Sequence, residues 1–511
     1  MSIKRYIAYK DNTITNAYQS NLTTRGTGSN MGLADSLEVF SIFGQASASS
    51  NEQARTLIQF PILTTDNTSS IQADRNNGKI PASGSVDFFL RMFNVAHDQT
   101  LPRDFTLVVS PVSQSWEEGY GLDMENYSDK TYDSTGSNWI NAEANTVWTN
   151  TNGTTKTGGS FLSATYGGAT TADYNEFNYK QTFSKGTEDL EVNITSLVEK
   201  WLATDYSNYG VGIMLTASQE SGSRSFYTKR FSARGSEFFF SRPMIEARWD
   251  SSRKDHRGSF YVSSSALSSA DNLNTIYFYN YVRGQAKNLP NVGTGSIYVT
   301  LHTSASGGEK LTGAAGSGTF TYTTAVTGGY ATTGTYSASF ALDTTATIVY
   351  DRWFSGSDAN NPAATHIGYH TGSFEPLILT PSNMFDTAEY ITNITNLRSE
   401  YLNKNVARFR LYTRKRNWNP TIYTVATANI ENSIIDDSYY KVFRSIDDKD
   451  VISYGTGSLN HTRLSYDVSG SYFDLDMSLF EVGYEYGIKF IFYTNGSYDE
   501  HNATFKFKVI E

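Results

Sequence analysis

Alternation of apolar and polar residues with a period of two is the feature that most restricts how this chain can fold. Ala407, Phe409 and Leu411 fall on one face of a predicted strand, with arginines between them on the other face. The even positions of 486–492 form a similar apolar face. Because successive side chains of a strand point to opposite faces, these runs predict half-buried β-strands. Gly, Asn and Ser clusters separate such runs, which is typical of sandwiches rather than of alternating strands and helices.

One short segment departs from this pattern and predicts a helix. Between residues 193 and 202, apolar residues recur at the spacing of one helix face. They are Ile194, Leu197, Val198, Trp201 and Leu202. Ser196 and Glu199 have the spacing of a capping box near its start. We therefore expect a two-turn helix across the end of a sheet in an otherwise all-β protein.

The composition agrees with an all-β fold. Aromatic residues make up 14% of the 511 residues, with 35 tyrosines, and 40 glycines accompany many Ser, Thr and Asn residues. Tyr, Phe and Thr favour pleated sheets, whereas Gly and Asn favour turns. The chain has no cysteine, so neither a disulfide nor a cysteine metal site contributes to the fold.

Charge and hydropathy remove two classes of partner. The net charge is −10 and no block of lysine or arginine occurs, so the surface repels phosphate backbones and nucleic acid is not expected as a partner. No stretch approaches the ~18 consecutive apolar residues of a membrane-spanning helix, and the N-terminus lacks the apolar stretch of a signal peptide. We therefore expect neither membrane insertion nor an export signal.

Two breaks divide the sequence into three predicted domains. After an apolar strand that ends at Trp249, the polar run 250–258 is interpreted as a linker. A second break lies at 377–383, where Pro381 and Asn383 interrupt an apolar strand. The predicted domains are residues 1–250, 251–381 and 382–511. Each is expected to be a β-sandwich, and the last two to be immunoglobulin-like or similar.

Four elements in the first 250 residues occur in the order found in one domain family. They are an Asn-x-Gly turn with its following strand at 30–39, Arg55-Thr-Leu-Ile-Gln-Phe60, Trp116-Glu-Glu-Gly119, and a closing segment made of 190–201, 208–213 and Arg242-Pro243. In this order they resemble the DNRLRE-type jelly-roll domains, which are related to carbohydrate-binding modules. The resemblance implies a jelly roll in which Trp116 and Trp201 are core anchors. The stretch between Trp116 and Asp189 is longer than in the family, which predicts an inserted loop region.

The rest of the chain resembles modules of virion proteins from aquatic tailed phages. The residues behind this resemblance are Asn280-Tyr-Val-Arg-Gly284, Arg414-Lys-Arg-Asn-Trp-Asn-Pro420, Tyr454-Gly-Thr-Gly457 and 464–476. The resemblance implies a structural, non-enzymatic role in a bacteriophage particle, in the neck or collar, the tail or a capsid-attached appendage. The expected location is the virion, and the expected partners are other virion proteins and copies of the chain itself.

The kinship of the first domain to carbohydrate-binding modules supports an alternative function. The chain would then be a glycan-binding adhesin of the phage tail or head fibre, with a host-surface glycan as its partner. Aromatic side chains are the usual sugar platforms, and the candidates in the long insertion are Tyr120, Tyr127, Trp139, Trp148 and Tyr166. These residues would otherwise pack the insertion itself.

The densest positive segment provides candidates for a protein interface. Arg and Trp are favoured at the centres of interfaces, and an acidic chain offers complementary surface. The candidates are Arg408, Arg410, Arg414, Arg416 and Trp418. The segment would otherwise form the outward face of a strand and the turn after it.

No residue pattern predicts a catalytic site. Glu117 and Glu118 are neighbours on an extended chain and should diverge, whereas a glycosidase needs two carboxylates that face one cleft. His366 and His370 would stand about 13 Å apart on one strand, too far to share a metal ion. We expect no catalytic residue, metal site or cofactor. A structural Ca²⁺ is left open because jelly rolls of this kind sometimes hold one, but the aspartates at 447–450 and 474–476 are expected to form turns.

Overall fold

The chain forms two compact units, Ser2–Asp250 and Ser251–Glu511. The computed structural model describes residues 2–95, 102–122, 136–163, 177, 179–315, 318–320, 325–356, 367–379, 389–426 and 432–511. Strands dominate both units and the helices are short, which confirms the predicted all-β fold of several sandwiches. No helix in these ranges is long and apolar enough to cross a membrane.

Two antiparallel sheets form the first unit. Its eight principal strands are, in chain order, Ile3–Ile7, Asn51–Gln59, Asp87–Met92, Phe105–Pro111, Tyr179–Phe183, Leu190–Asn193, Val211–Leu215 and Met244–Arg248. In spatial order, the smaller sheet contains Ile3–Ile7, Met244–Arg248, Asp87–Met92 and Leu190–Asn193. The larger sheet contains Asn51–Gln59, Val211–Leu215, Phe105–Pro111 and Tyr179–Phe183. This is the strand order of a jelly roll. The larger sheet continues with Lys10–Thr15, Ser36–Phe43 and Phe226–Ser232.

Short elements complete the first unit. The helices are Ile71–Asn76, Thr195–Leu202 and Ala217–Glu220, a 3-10 turn covers Phe239–Ser241, and a small hairpin joins Asn141–Glu143 to Thr146–Val147. The helix Thr195–Leu202 buries the predicted face, including Trp201. The predicted capping box is wrong, because the N-cap residue is Ile194, whose side chain makes no capping bond. Ser196 and Glu199 instead bond to Tyr179 and Arg75.

A second apolar core lies on the outer face of the larger sheet. The insertion that follows strand Phe105–Pro111 folds back over this face and buries three tryptophans and a phenylalanine. These are Trp116, Trp139, Trp148 and Phe161, and the residues they pack against include Ile14, Leu57, Val108 and Met214. The larger sheet is therefore apolar on both faces. The first unit has three layers rather than the two of a simple sandwich.

The smaller sheet carries a buried cluster of charges on its outer face, centred on Glu246. Bonds of 2.8, 3.2 and 2.7 Å reach this carboxylate from Arg5, Arg91 and Arg248. Glu191 adds a second carboxylate, 2.7 Å from Arg248. Burial alone would raise the pKa of Glu246, but the three guanidinium charges hold it well below its usual range. Glu246 is therefore an ionised group that compensates three buried cations.

In the second unit, the strands of residues 274–374 surround one apolar core. The strands are Asn274–Tyr279, Ile297–His302, Gly313–Ala315, Gly318–Phe320, Val326–Thr332, Thr335–Leu342, Val349–Ser355 and Ile367–Phe374, with a small hairpin of Tyr281–Val282 and Gln285–Ala286. Phe278, Tyr336 and Trp353 are among the largest side chains of this core. The predicted domain boundary at 381/382 lies outside the described residues.

Residues 389–511 form a sandwich of two sheets. One sheet contains, in spatial order, Tyr390–Ile394, Val406–Lys415, Gly470–Asp476 and Ser465–Asp467. The other contains Glu400–Leu402, Phe505–Ile510, Glu485–Thr494, Ser438–Arg444 and Lys449–Ile452, and Ser497–Glu500 also pairs with Glu485–Thr494. Helix Ile422–Ala426 and the 3-10 turn Met477–Leu479 complete it. In strand Val406–Lys415, Phe409 and Leu411 are buried, which confirms the predicted alternation.

The polar run that the sequence predicts to be a linker is fixed within the second unit from Arg253 onward. Tyr466 N donates to Arg253 O (2.9 Å), and Asp255 N donates to Tyr466 O (3.1 Å). Arg257, in the 3-10 turn His256–Gly258, pairs with the fully buried Asp351 through two bonds of 2.7 Å. The linker prediction is wrong for this part of the run, because it is bonded to both groups of strands in the unit.

Candidate functional site

Acids of the same chain engage the arginine face of strand Val406–Lys415. Arg408 forms a bidentate ion pair with Asp474 (2.7 and 2.8 Å), and Arg410 bonds to Asp467 (2.6 Å). The ring of Tyr472 is within 4.5 and 4.8 Å of the two guanidinium carbons. The sequence predicts these arginines as contacts to an acidic neighbour, but intramolecular carboxylates already neutralise them. Both charges are therefore paired within the chain, and their contact with a neighbour stays a prediction.

The other three interface candidates lie at the end of this strand and in the turn after it. The Arg414 guanidinium is 5.8 Å from the ring of Trp418. Arg416 bonds to Glu389 (2.5 Å), and both side chains of this pair are mostly exposed. An exposed ion pair of this kind exchanges partners at little cost. Arg414 therefore lies beside Trp418, whereas Arg416 is paired with Glu389.

A short helix next to this turn adds two exposed apolar side chains that the sequence analysis did not identify. In helix Ile422–Ala426, Ile422 and Tyr423 are both 80% exposed. Trp, Tyr and Arg are the side chains most enriched at the energetic centres of interfaces. The composition of this loop therefore fits protein docking.

Two of the predicted sugar platforms are interior residues. Trp148 is fully buried, and its Nε1 donates to the backbone oxygen of Asn138 (2.8 Å). Trp139 is buried beside Arg55, whose guanidinium carbon is 5.3 Å from the indole ring. The prediction that these tryptophans contact a glycan is wrong, because they pack the insertion against the larger sheet and leave no ring face for a sugar.

The tyrosine candidates differ from the tryptophans. Tyr127 and Tyr166 lie outside the described residues. Tyr120 is 74% exposed and belongs to a group of five large apolar side chains on three loops of the first unit. This apolar loop patch consists of Leu33, Tyr120, Leu122, Phe238 and Phe239, which are 44–74% exposed. The sequence signal that could have located it is the run of three phenylalanines at 238–240 within a polar loop.

Backbone contacts hold the three loops of the apolar loop patch together. Leu33 N donates to Gly121 O (2.8 Å), which joins the loop of Leu33 to the loop of Tyr120 and Leu122. Gly235 belongs to the loop of Phe238 and Phe239 and lies close to the backbone of Ala34. A Cβ atom added at Gly235 would stand 3.2 Å from the Ala34 backbone oxygen. The three loops that carry the patch are therefore joined to one another.

An ion pair fixes two of these loops beside the patch. Arg234 donates to both carboxylate oxygens of Glu118 at 2.9 Å. Glu118 also accepts the backbone N–H of Asp11 (2.9 Å), and Asp11 accepts that of Arg234. The neighbouring Glu117 points elsewhere and accepts the N–H of Gly136 (3.3 Å). Glu118 has a positioning role here, and the two glutamates diverge rather than face one cleft.

Asp11 should make the stability of the first unit depend on pH. Burial raises the pKa of Asp11 to about 7. A carboxyl group whose pKa is higher in the folded than in the unfolded state stabilises the fold at low pH, and this contribution is lost as the pH rises through the folded pKa. We expect Asp11→Asn to raise the free energy of unfolding at pH 8 by about 1–2 kcal/mol and to have little effect at pH 4. Urea denaturation at both pH values measures this, and equal effects would contradict it.

The aspartates and histidines considered for metal binding have other contacts. Asp474 pairs with an arginine, Asp447 does so through bonds of 3.0 and 2.6 Å, and Asp476 accepts a backbone N–H in a turn (3.0 Å). His370 lies on strand Ile367–Phe374 and stacks on a phenylalanine, whereas His366 is outside the described residues. In the part of the chain that the structure describes, no group of three His, Cys, Asp or Glu side chains could hold a metal ion.

A groove of about 960 Å³ opens in the C-terminal sandwich. Residues at its wall include Glu389, Tyr390, Arg416, Phe492, Tyr498, Asp499, Glu500, His501 and Asn502. The hydroxyl of Thr392 bonds to the His501 ring (3.2 Å), and Glu500 bonds to Lys489 (2.9 Å). The groove combines aromatic rings with fixed polar groups, and the predicted interface residue Arg416 lies at its wall.

Comparisons with known proteins assign no family to the chain. No family model and no curated protein matches it. Among solved structures, a marsupial T cell receptor matches with a TM-score of 0.15 and 7% sequence identity, over 46% of this chain and 68% of that chain. A likeness of this size carries no argument about function.

Proposed function

We propose that this chain is a structural, non-enzymatic component of a tailed-phage virion, in the neck or collar, the tail or a capsid-attached appendage. It acts through contacts with other virion proteins and with copies of itself. The single observation that carries the docking role is the apolar loop patch of the first unit. The placement in a phage particle rests on the resemblance of the second half of the chain to virion proteins.

The apolar loop patch has the properties of a docking site. Single exposed apolar residues are common on monomers, but contiguous groups of large ones mark interaction surfaces. Aromatic residues supply three of its five side chains. The bidentate bond between Arg234 and Glu118 fixes the loops that carry the patch. Because these loops are already ordered, binding costs less conformational entropy than it would for mobile loops.

Substitution of two phenylalanines should weaken assembly. We expect Phe238→Ser combined with Phe239→Ser to lower incorporation of the chain into particles by a factor of about 10 or more, because two interface aromatics contribute more than ~1.4 kcal/mol. Quantitative mass spectrometry of purified particles measures this. The matched control is Phe226→Ser, which removes a 64% exposed phenylalanine of the same unit outside the patch. Equal incorporation of the two variants would contradict the docking role.

The position of the chain tests the proposal as a whole. Cryo-EM density of the purified particle should place the chain at the neck, the capsid or the tail, with a neighbouring protein over the apolar loop patch. Absence of the chain from the particle would overturn the proposal.

Glycan binding is a second candidate function, and the groove of the C-terminal sandwich favours it. Sugars bind where aromatic faces stand beside fixed hydrogen-bonding groups. The half-exposed Tyr498 and the neighbouring Asp499 and Asn502 offer such a combination. A glycan array probed with the whole chain and with Tyr498→Ala tests this. Binding that the substitution abolishes would support adhesion, and no binding by the wild type would exclude it for the glycans on the array.

A further inference from the structure

Lys229 is an unusual residue of the first unit, because its side chain is fully buried. It lies on strand Phe226–Ser232, and lysine is among the residues least often found in protein interiors. The rings of Phe183 and Phe231 stand 5.0 and 5.1 Å from its Nζ atom. Two aromatic rings therefore lie beside this amine, in a place that solvent does not reach.

Asn94 is the side chain that meets this amine. The Lys229 Nζ atom is 2.6 Å from Asn94 Oδ1, and it also reaches the backbone oxygens of Gly186 (2.8 Å) and Glu188 (2.7 Å). Asn94 lies beside Phe231 as its antiparallel partner. The amine and the carboxamide therefore come from neighbouring extended segments of the same sheet edge, which hold them in place.

A carboxylate lies next to Asn94. The backbone N–H of Asn94 donates to Asp189 Oδ1 (2.7 Å). The charge of Asp189 also acts on Lys229. Glu188, the neighbouring acid, is occupied elsewhere because its carboxylate accepts bonds from Ser184 and Lys185.

We propose that Lys229 and Asn94 join in an intramolecular isopeptide bond, with Asp189 as the group that relays protons. The Nζ atom attacks Cγ of Asn94, a new C–N bond forms, and the bond from Cγ to Nδ2 breaks. Two protons leave the lysine ammonium and end on the departing nitrogen, so the products are a secondary amide and an ammonium ion. No oxidant, reductant or cofactor is needed.

The surroundings favour the nucleophilic form of the amine. Burial lowers the pKa of Lys229 to about 8, against the opposing charges of Asp189 and Glu188. The neutral amine is therefore more populated near neutral pH than in an exposed lysine, and the neutral amine is the nucleophilic form. The hydrogen bond from Nζ to Asn94 Oδ1 (2.6 Å) holds the amine beside the carboxamide. Positioning of this kind converts a slow bimolecular reaction into an intramolecular one.

The bond would cross-link positions 135 residues apart. A cross-link that closes a long loop restricts the unfolded chain. The sequence contains no cysteine, so a disulfide cannot supply such a cross-link, whereas an amide between lysine and asparagine can. The bond would connect the segment after strand Asp87–Met92 to strand Phe226–Ser232.

Mass spectrometry of the full chain tests the proposal. We expect the intact wild type to be lighter than its sequence mass by one ammonia, and a proteolytic digest to contain one branched peptide that joins Lys229 to Asn94. Lys229→Arg and Asn94→Ala should both have the full sequence mass. Asp189→Asn, which can still accept the Asn94 N–H bond, should fold but form the cross-link at least about tenfold more slowly after refolding.

Loss of ammonia has one competing source, which the digest separates. Asn–Gly sequences at 77–78, 152–153 and 495–496 lose ammonia when they cyclise to succinimides, which hydroxylamine cleaves, whereas an isopeptide bond resists it. A hydroxylamine-resistant branched peptide supports the proposal. A wild type of full mass after prolonged incubation at pH 9, with no branched peptide, overturns it and leaves Lys229 as a buried ammonium held by three acceptors.

Discussion

Replacement of Glu246 by glutamine is expected to lower the free energy of unfolding of the first unit by about 3–5 kcal/mol. The substitution keeps the side-chain volume but removes the carboxylate to which Arg5, Arg91 and Arg248 donate. Of the three guanidinium groups, those of Arg91 and Arg248 would then depend on Glu191, which is partly exposed. A buried charge without compensation costs far more than a lost ion pair in water. Urea denaturation, with hydrogen exchange of strand Met244–Arg248, measures the effect.

Two further measurements separate burial from charge in this prediction. Asp205→Asn breaks an exposed pair with Lys200 in the same unit and should change the free energy of unfolding by less than ~1 kcal/mol. Because the folded-state pKa of Glu246 is depressed, its contribution is complete above its unfolded pKa of about 4.3 and is lost as the pH falls further. Glu246→Gln should therefore flatten the acid side of the stability profile. A variant as stable as the wild type at pH 7 would show that the cluster adds no net stability.

Replacement of Trp148 by alanine is expected to cost about 3–5 kcal/mol, because it leaves a large cavity in the outer core of the first unit. It also removes the bond from Nε1 to the oxygen of Asn138. The loss should be concentrated in the outer layer, since the core between the two sheets does not include Trp148. We expect limited proteolysis to cut the region 136–163 in the variant while the jelly-roll strands stay protected.

The control for this prediction is an exposed aromatic residue of the same insertion. Tyr120→Ala removes a side chain that is mostly in solvent and should change stability by about 0.5 kcal/mol or less. Equal protease resistance of the Trp148→Ala variant and the wild type would contradict the idea that the outer layer depends on this core.

The strands were predictable from sequence because each depends on local alternation. The buried faces of Val406–Lys415 and Glu485–Thr494 follow directly from period two. Helix Thr195–Leu202 was predictable for the same reason, from the spacing of its apolar residues. The capping box was not, because Ser196 and Glu199 found partners outside the helix.

The candidate site was much less predictable, because its contacts join distant parts of the chain. Nothing near Arg408 in sequence indicates that Asp474, 66 positions away, neutralises it. The tryptophans of the insertion are aromatic residues in a polar segment, a composition that suits a sugar platform and an outer core equally. Only the fold shows that Trp139 and Trp148 are covered.

Because the larger sheet is apolar on both faces, we expect a corresponding pattern in the sequences of related chains. Leu57, Val108 and Met214 lie on strands of this sheet and pack against the insertion, so in a shorter relative without that segment they would face water. Such a relative should carry polar or charged residues at these three positions, while the residues of the inner face stay apolar. The presence of the insertion and the hydropathy of these positions are therefore expected to change together.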